Sequence, residues 1–182
     1  MNEAVARERK AKLLEGEALL EYALKALAAR AHSIGELRQK LLRRAASEEE
    51  AERVLRRLRE LGYLDDRRFA EHYAAARLEN EGLGRIRVVH ELRRRRVAPT
   101  VAEHAVAKAY EGTDEIRLVE DYLRRKFRKT PLEQLLAEPK GVASVYRRLR
   151  SAGFTASNVL AVLRRLARDP ELLDPLEGAE ES

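Results

Sequence analysis

Three stretches of this chain space their apolar residues alike, and such a repeat restricts the fold more tightly than composition does. Setting Ser33, Gly84 and Gly141 opposite one another, at successive spacings of 51 and 57 residues, brings Leu37, Val88 and Val145 into register. Leu41, Leu92 and Leu149 then coincide, as do Val54, Ala105 and Val162, and Leu55, Val106 and Leu163. Upstream, Tyr22, Tyr73 and Tyr122 fall at matching places. Any two leucine-rich helices match at one or two positions by chance, but five positions shared by three segments identify a repeated unit. From tyrosine to register residue the first two copies have 11 residues and the third has 19, the surplus falling around Thr130, Pro131 and the Glu138-Pro139 break.

Each unit reads as three helices. In the first copy Leu20, Ala23, Leu24, Leu27 and Ala31 make one helical stripe. Ser33 with Glu36, and Ser47 with Glu50, have the spacing of capping boxes that open a second and a third helix. Ala51, Val54, Leu55, Leu58 and Leu61 line the third, and Gly62 offers the left-handed conformation that ends it. With 37% charged residues, 5% aromatics, 9 Gly and 5 Pro, polar-faced helices are favoured over sheet. A unit of about 50 residues buries little alone, so neighbours must share apolar faces. The expectation is an all-α, elongated stack of three tandem three-helix, helix-turn-helix-like repeats. Its divisions are an N-terminal extension over 1–17, repeats over 18–65, 66–112 and 113–168 with an insertion near 129–140, and an acidic, unstructured tail over 169–182.

The tail separates the charges. It holds six acids and no base, so the net +6 of the chain becomes +12 for residues 1–168. A basic body fits a polyanionic partner, with a mixed ion-pair surface as the bland alternative. Cysteine is absent, which excludes disulfides and thiol chemistry. The charged N-terminus and the lack of a run of about 20 apolar residues point to a cytoplasmic protein without a membrane span.

Between the first two units stands GYLDDRRFAEHY, residues 62–73. Gly62 closes a helix, Tyr63 and Leu64 are turn anchors, Asp65 caps the next helix, Asp66 favours its dipole, and Phe69, Ala70 and Tyr73 form its buried stripe. This segment resembles the G-[YL]-L-[DN]-D-x-x-[FY]-A signature of the RecX family. Ser33, Glu36, Leu37 and Leu41 match the family's S-x-x-E-L-x-x-x-L, and Gly84, Arg87, Val88, Glu91 and Leu92 its G-x-x-R-[IV]-x-x-E-L. The likeness runs from about residue 18 to residue 168. It departs where the family has Lys-Gly before the last apolar residue of the second unit's middle helix. Here the run is Arg93, Arg94, Arg95, Arg96, Val97, so a differently formed turn is expected, with Pro99 as the stop signal. The resemblance implies a non-enzymatic protein, taken as a monomer, that binds the RecA recombinase filament on single-stranded DNA. It would thereby restrain recombination, coprotease activity and the SOS response.

No constellation of catalytic side chains stands out. Asp65 and Asp66 are adjacent at a helix start and lack a third ligand, and His32, His72, His90 and His104 have no zinc spacing. Gly82 and Gly84 lack the third glycine of a dinucleotide turn, and no P-loop occurs, so no metal or cofactor is expected. The partner-binding candidates are basic. Arg85, Arg87, Arg93, Arg94, Arg95 and Arg96 lie close together against the single acid Glu91, and four successive arginines sweep most of a helical turn. Arg147, Arg148 and Arg150 take related places in the third unit, and Arg124, Arg125 and Lys126 precede its insertion. On stacked repeats these groups would form one basic strip for phosphate or protein carboxylates. A plain DNA-binding helical protein is the alternative. The repeat tyrosines read as core, which leaves no aromatic exposed for base stacking.

Overall fold

A computed structural model describes residues 13–178. The chain divides between Phe69 and Ala70 into two compact units. Among the described residues all regular structure is helical apart from one isolated parallel bridge, Leu14 to Ala45.

The first unit contains α1 (Gly16–Ala29), α2 (Ile34–Leu42), α3 (Glu48–Glu60) and the first turn of α4 (Asp66–Glu81). Ser33 opens α2 with the predicted reciprocal box: its hydroxyl accepts from the Glu36 amide at 3.0 Å and its amide donates to the Glu36 carboxylate at 3.2 Å. The second predicted box closes only halfway. Ser47 accepts from the Glu50 amide, but the Glu50 carboxylate takes the Gly16 amide at the start of α1, 3.1 Å away, where a helix start leaves an orphan donor. The α1 stripe also turns from its predicted centre. Leu19, Leu20, Ala23 and Ala26 are buried, whereas Leu24 and Ala31 are exposed, because the core is made by α2 and α3 on the Leu19–Ala23 side. Leu37, Leu41, Val54, Leu55 and Leu58 complete that core, with Leu64 beneath it.

In the second unit α4 continues to Glu81 and is followed by α5 (Arg85–Arg94), α6 (Pro99–Ala109) and α7 (Glu115–Lys126). Then come α8 (Leu132–Leu135), α9 (Pro139–Ser151) and α10 (Ala156–Leu166). Helix α5 packs on α6, and α7 and α9 pack on α10. The surplus residues of the third copy form α8, which leans on α9; Leu136 is buried there, and a Cβ on Gly141 would overlap the Leu135 carbonyl.

The aligned apolar positions are all core: Leu37, Val88 and Val145, then Leu41, Leu92 and Leu149, then the matching pairs of each third helix. The tyrosines are not uniformly so. Tyr122 is buried with its ring edge-on to Phe154, but Tyr22 and Tyr73 are half-buried beneath the guanidinium groups of Arg44 and Arg95. Those two arginines obey the same 51-residue offset, so the cation–π lid belongs to the repeat.

The acidic segment predicted to be unstructured is folded as far as residue 178. Asp169 caps a 3₁₀ turn, Pro170–Leu173, that leads into α11 (Asp174–Gly178). Leu173 is fully buried, with the 3₁₀ turn packed on α9 and α10, and this apolar anchor orders a stretch whose charge alone suggested disorder. Residues 179–182 of that segment, and residues 1–12 of the N-terminal extension, lie outside the described residues.

Candidate functional site

Helix α5 carries most of the arginine cluster, and two glycines fix its place. The Gly84 and Ile86 amides donate to the Ala152 and Gly153 carbonyls at 2.8 and 3.2 Å, so the α9–α10 turn accepts the orphan donors at the start of α5. A Cβ on Gly84 would overlap the Gly153 carbonyl, and one on Gly153 would strike Arg87. Contact this close needs glycine on both sides. It brings Ile86, Arg87, His90 and Arg94 of α5 together with Arg150 and Ser151 of α9 around a groove of about 490 Å³.

The helix ends at the turn where the family's glycine is missing, and the turn forms all the same. Arg96 takes φ 62°, the Arg96 amide donates to Arg93 and the Val97 amide to Leu92, the pattern made by Gly62 with Tyr63 and by Gly153 with Phe154. The expected rearrangement is therefore absent, and arginine itself adopts the left-handed conformation. Pro99 stands at the first position of α6 as anticipated, after Ala98 in extended geometry.

Glu91 sets the local electrostatics. It accepts from Arg87 Nε at 2.9 Å and from the Tyr73 hydroxyl at 2.8 Å, and pairs with Arg77 at 3.0 Å. Burial pushes its carboxyl up, but these donors and cations more than offset that and hold it below the ordinary carboxylate value. Arg87 also donates to the Ser151 carbonyl at 3.2 Å.

The remaining cations divide into engaged and free. Arg85 pairs with Glu115, donates to the Tyr110 carbonyl and lies over the Tyr110 ring, whose phenol, bonded to the Leu83 carbonyl, burial pushes far up. Arg125 closes the C-terminus of α4 through the Glu81 and Asn80 carbonyls, and Arg124 pairs with Asp121. Lys126 and Arg148 lie over the Tyr122 and Phe127 rings, Arg95 lies over Tyr73, and Arg150 donates to the Phe154 carbonyl. Arg93, Arg94, Arg96 and Arg147 are exposed and take no described carboxylate. Arg124 and Arg125, joined by Arg128, border a separate hollow of about 570 Å³. Among the groove residues, His90 and Ile86 carried no motif, although spacings of three and four residues put positions 87, 90 and 94 on one helical face.

In the signature segment, Asp65 caps α4 by accepting from the Arg67 and Arg68 amides. Asp66 does more than favour the dipole: it accepts from the Ile34 amide at 2.8 Å and so caps α2 as well. Leu64 and Ala70 are buried and Phe69 is half-buried, but Tyr63, expected as an anchor, is 57% exposed, because the turn after Gly62 sends Leu64 inward in its place. No group of His, Asp and Glu among the described residues is arranged to hold a metal.

These features define an all-α protein of tandem three-helix repeats with a cationic groove. Residues 20–58 match the family model described as RecX, first three-helix domain, and residues 65–106 the model described as RecX, second three-helix domain. The chain is 38% identical over 182 residues to a regulatory protein RecX of Deinococcus radiodurans, covering 98% of this chain and 82% of that one. It is 31% identical over 147 residues to that of Pelodictyon phaeoclathratiforme, covering 81% and 88%. The crystal structure of RecX from Lactobacillus salivarius shares the fold with a TM-score of 0.63 at 17% identity, over 82% of this chain and 95% of the other. The chain belongs to the RecX family of regulatory proteins.

Proposed function

We propose that this RecX-family chain regulates the RecA recombinase by binding its filament on single-stranded DNA, restraining recombination, coprotease activity and the SOS response. It acts in the cytoplasm, stoichiometrically and as a monomer, and catalyses no reaction itself. The repeats that present the site run over 18–65, 66–112 and 113–168. The observation that supports this reading best is the set Arg93, Arg94, Arg96 and Arg147, exposed and without a described acidic partner, whereas Arg77, Arg85, Arg87 and Arg124 of the same unit each pair with an acid. Uncompensated guanidinium groups on helices and on the turn that ends α5 suit phosphates and carboxylates of a polymeric anion. Arg85, Arg87, Arg95, Arg148 and Arg150 are held by internal contacts and add positive charge, as do Arg124, Arg125 and Lys126 nearer the separate hollow.

The test is DNA-dependent ATP hydrolysis and strand exchange by the cognate recombinase with increasing amounts of this protein. Inhibition is expected, weakening as salt rises and when the four arginines are changed to glutamine. Indifference of both reactions at saturating protein would end the proposal. Equal affinity for bare and for recombinase-coated DNA would assign the chain instead to simple DNA binding.

A further inference from the structure

The insertion that sets the third copy apart carries a hydroxyl that the fold leaves unused. The first two copies pass from first to second helix through short turns at 30–33 and 82–84, whereas the third interposes 127–138 between α7 and α9. Thr130 stands in this segment, exposed, in the turn between α7 and α8. Its amide donates to the Phe127 carbonyl at 2.9 Å, but its hydroxyl takes no described partner, and α8 opens at Pro131 without a side-chain cap. The other serines and threonines among the described residues differ: Ser33, Ser47 and Thr155 cap helices, Thr113 is half-buried, and the rest lie within helices.

The residues before Thr130, 124–129, are all cationic except Phe127, and no acid stands between Asp121 and the threonine. Arg124 pairs with Asp121 and Arg125 is bound to carbonyls of α4, whereas Arg128 and Lys129 are exposed without a described acid. Pro131 follows in extended geometry, at φ −68° and ψ 98°. Proline disfavours helix at the residue before it, so Thr130 is kept on irregular chain. An accessible hydroxyl with cations on its N-terminal side is what a protein kinase with carboxylates in its substrate cleft selects. Ser151 also follows arginines, Arg147, Arg148 and Arg150, but it ends α9, and Ala152, Gly153 and Phe154 after it are buried. A cleft that must grip the chain on both sides of the acceptor has no access there.

We infer that Thr130 is the acceptor of a protein serine/threonine kinase selective for basic substrates, and that its phosphate weakens the hold of the surrounding cations on a polyanion. In the transfer, Thr130 Oγ1 bonds to the γ-phosphorus of ATP and the bond from that phosphorus to the bridging oxygen breaks. ADP leaves with the electron pair, and the hydroxyl proton passes to the base of the kinase. The phosphate adds about −1.5 to −2 charges at pH 7 beside Arg128 and Lys129, offsetting about as many free cations. Arg128 also borders the hollow of about 570 Å³ between α4 and α7, so the charge of that wall falls with it. The modification is independent of the recombinase reading; its effect on the filament rests on that reading.

In the experiment the full chain is incubated with γ-labelled ATP, Mg²⁺ and a soluble extract of the cells that produce it, and the label is mapped by peptide mass spectrometry. Label is expected on Thr130, kept in Thr130→Ser and lost in Thr130→Ala; no label, or label on Ser151 instead, overturns the inference. The full chain with phosphothreonine installed at 130 by genetic code expansion is then compared with the unmodified chain on heparin and on recombinase-coated single-stranded DNA. Phosphorylation should bring elution from heparin to lower salt and weaken filament binding about fivefold at low salt, the difference closing as salt rises. A phosphatase should reverse both. Thr130 is exposed, so the thermal midpoint by circular dichroism is expected to stay put. Unchanged elution from heparin in the phosphorylated chain overturns the inference. Earlier elution, with neither form binding the filament, supports it and sinks the recombinase reading alone.

Discussion

At φ 62°, Arg96 holds the left-handed position that Gly153 holds at 94° in the corresponding turn of the third copy and that Gly62 holds at 75° after α3. A side chain there costs about 1 kcal/mol relative to glycine. Arg96→Gly should therefore raise the thermal midpoint by a few degrees while removing one of the free cations, so that stability and filament affinity move in opposite directions. Gly84→Ala should do the reverse, costing about 1–3 kcal/mol by overpacking α5 on the α9–α10 turn. Two titrating groups of the first unit act oppositely. Burial, aided by the Arg30 charge, lowers the pKa of His32 against the smaller pull of Glu36, 3.8 Å away. The stability His32 contributes is complete above its unfolded value of about 6.5 and is lost as pH falls toward its depressed folded value. Burial raises Asp66 despite the Ile34 amide, so its contribution is present at low pH and is lost as pH rises through the elevated value. Urea unfolding at stepped pH should show His32→Gln flattening the profile below about pH 6.5 and Asp66→Asn flattening it just above about pH 4. Asp66→Asn keeps an acceptor for Ile34, whereas Asp66→Ala loses it at about 1 kcal/mol.

The elements follow their caps and stripes closely. Ser33 and Ser47 start the helices they were expected to start, and Gly62 ends one, because these signals act within a few residues of chain. Contacts made between elements are what the stripes miss. The Glu50 carboxylate leaves its own cap for the start of α1, and Leu24 faces out while Leu19 faces in. The segment after Asp169 depends most on such a contact. Leu173→Ala should cost about 2–4 kcal/mol, as for other buried leucines, and ending the chain after Arg168 should cost at least as much. Thermal unfolding followed by circular dichroism checks both; an unaltered midpoint would mean that this buried leucine supports nothing.

For the molecule as a whole, the distribution of cations decides what can be bound. Repeat geometry put arginines at equivalent places, yet the fold commits Arg85 and Arg125 to internal carbonyls and leaves Arg93, Arg94, Arg96 and Arg147 outward. Binding to recombinase-coated single-stranded DNA should accordingly lose about 0.7 in salt slope for each of these four that touches phosphate and is neutralised. Neutralising Arg85 should instead lower stability, since its guanidinium group bridges Glu115 and the Tyr110 carbonyl. Filament-binding titrations at several salt concentrations, run beside thermal melts, separate the two kinds of arginine.

The register of the apolar repeat, the helical class, the caps and the family signature were legible in the sequence, because each is a pattern of neighbours along the chain. Only the tertiary structure decided that Arg96 would stand in a glycine's conformation, that Tyr63 would face outward and Leu173 inward, and which arginines would find carboxylates. Those outcomes depend on groups far apart in the chain: the Gly84–Gly153 contact and acids brought up from other helices. A charge in the sequence gives sign and number; its availability to a partner is set by what folding places within reach of it.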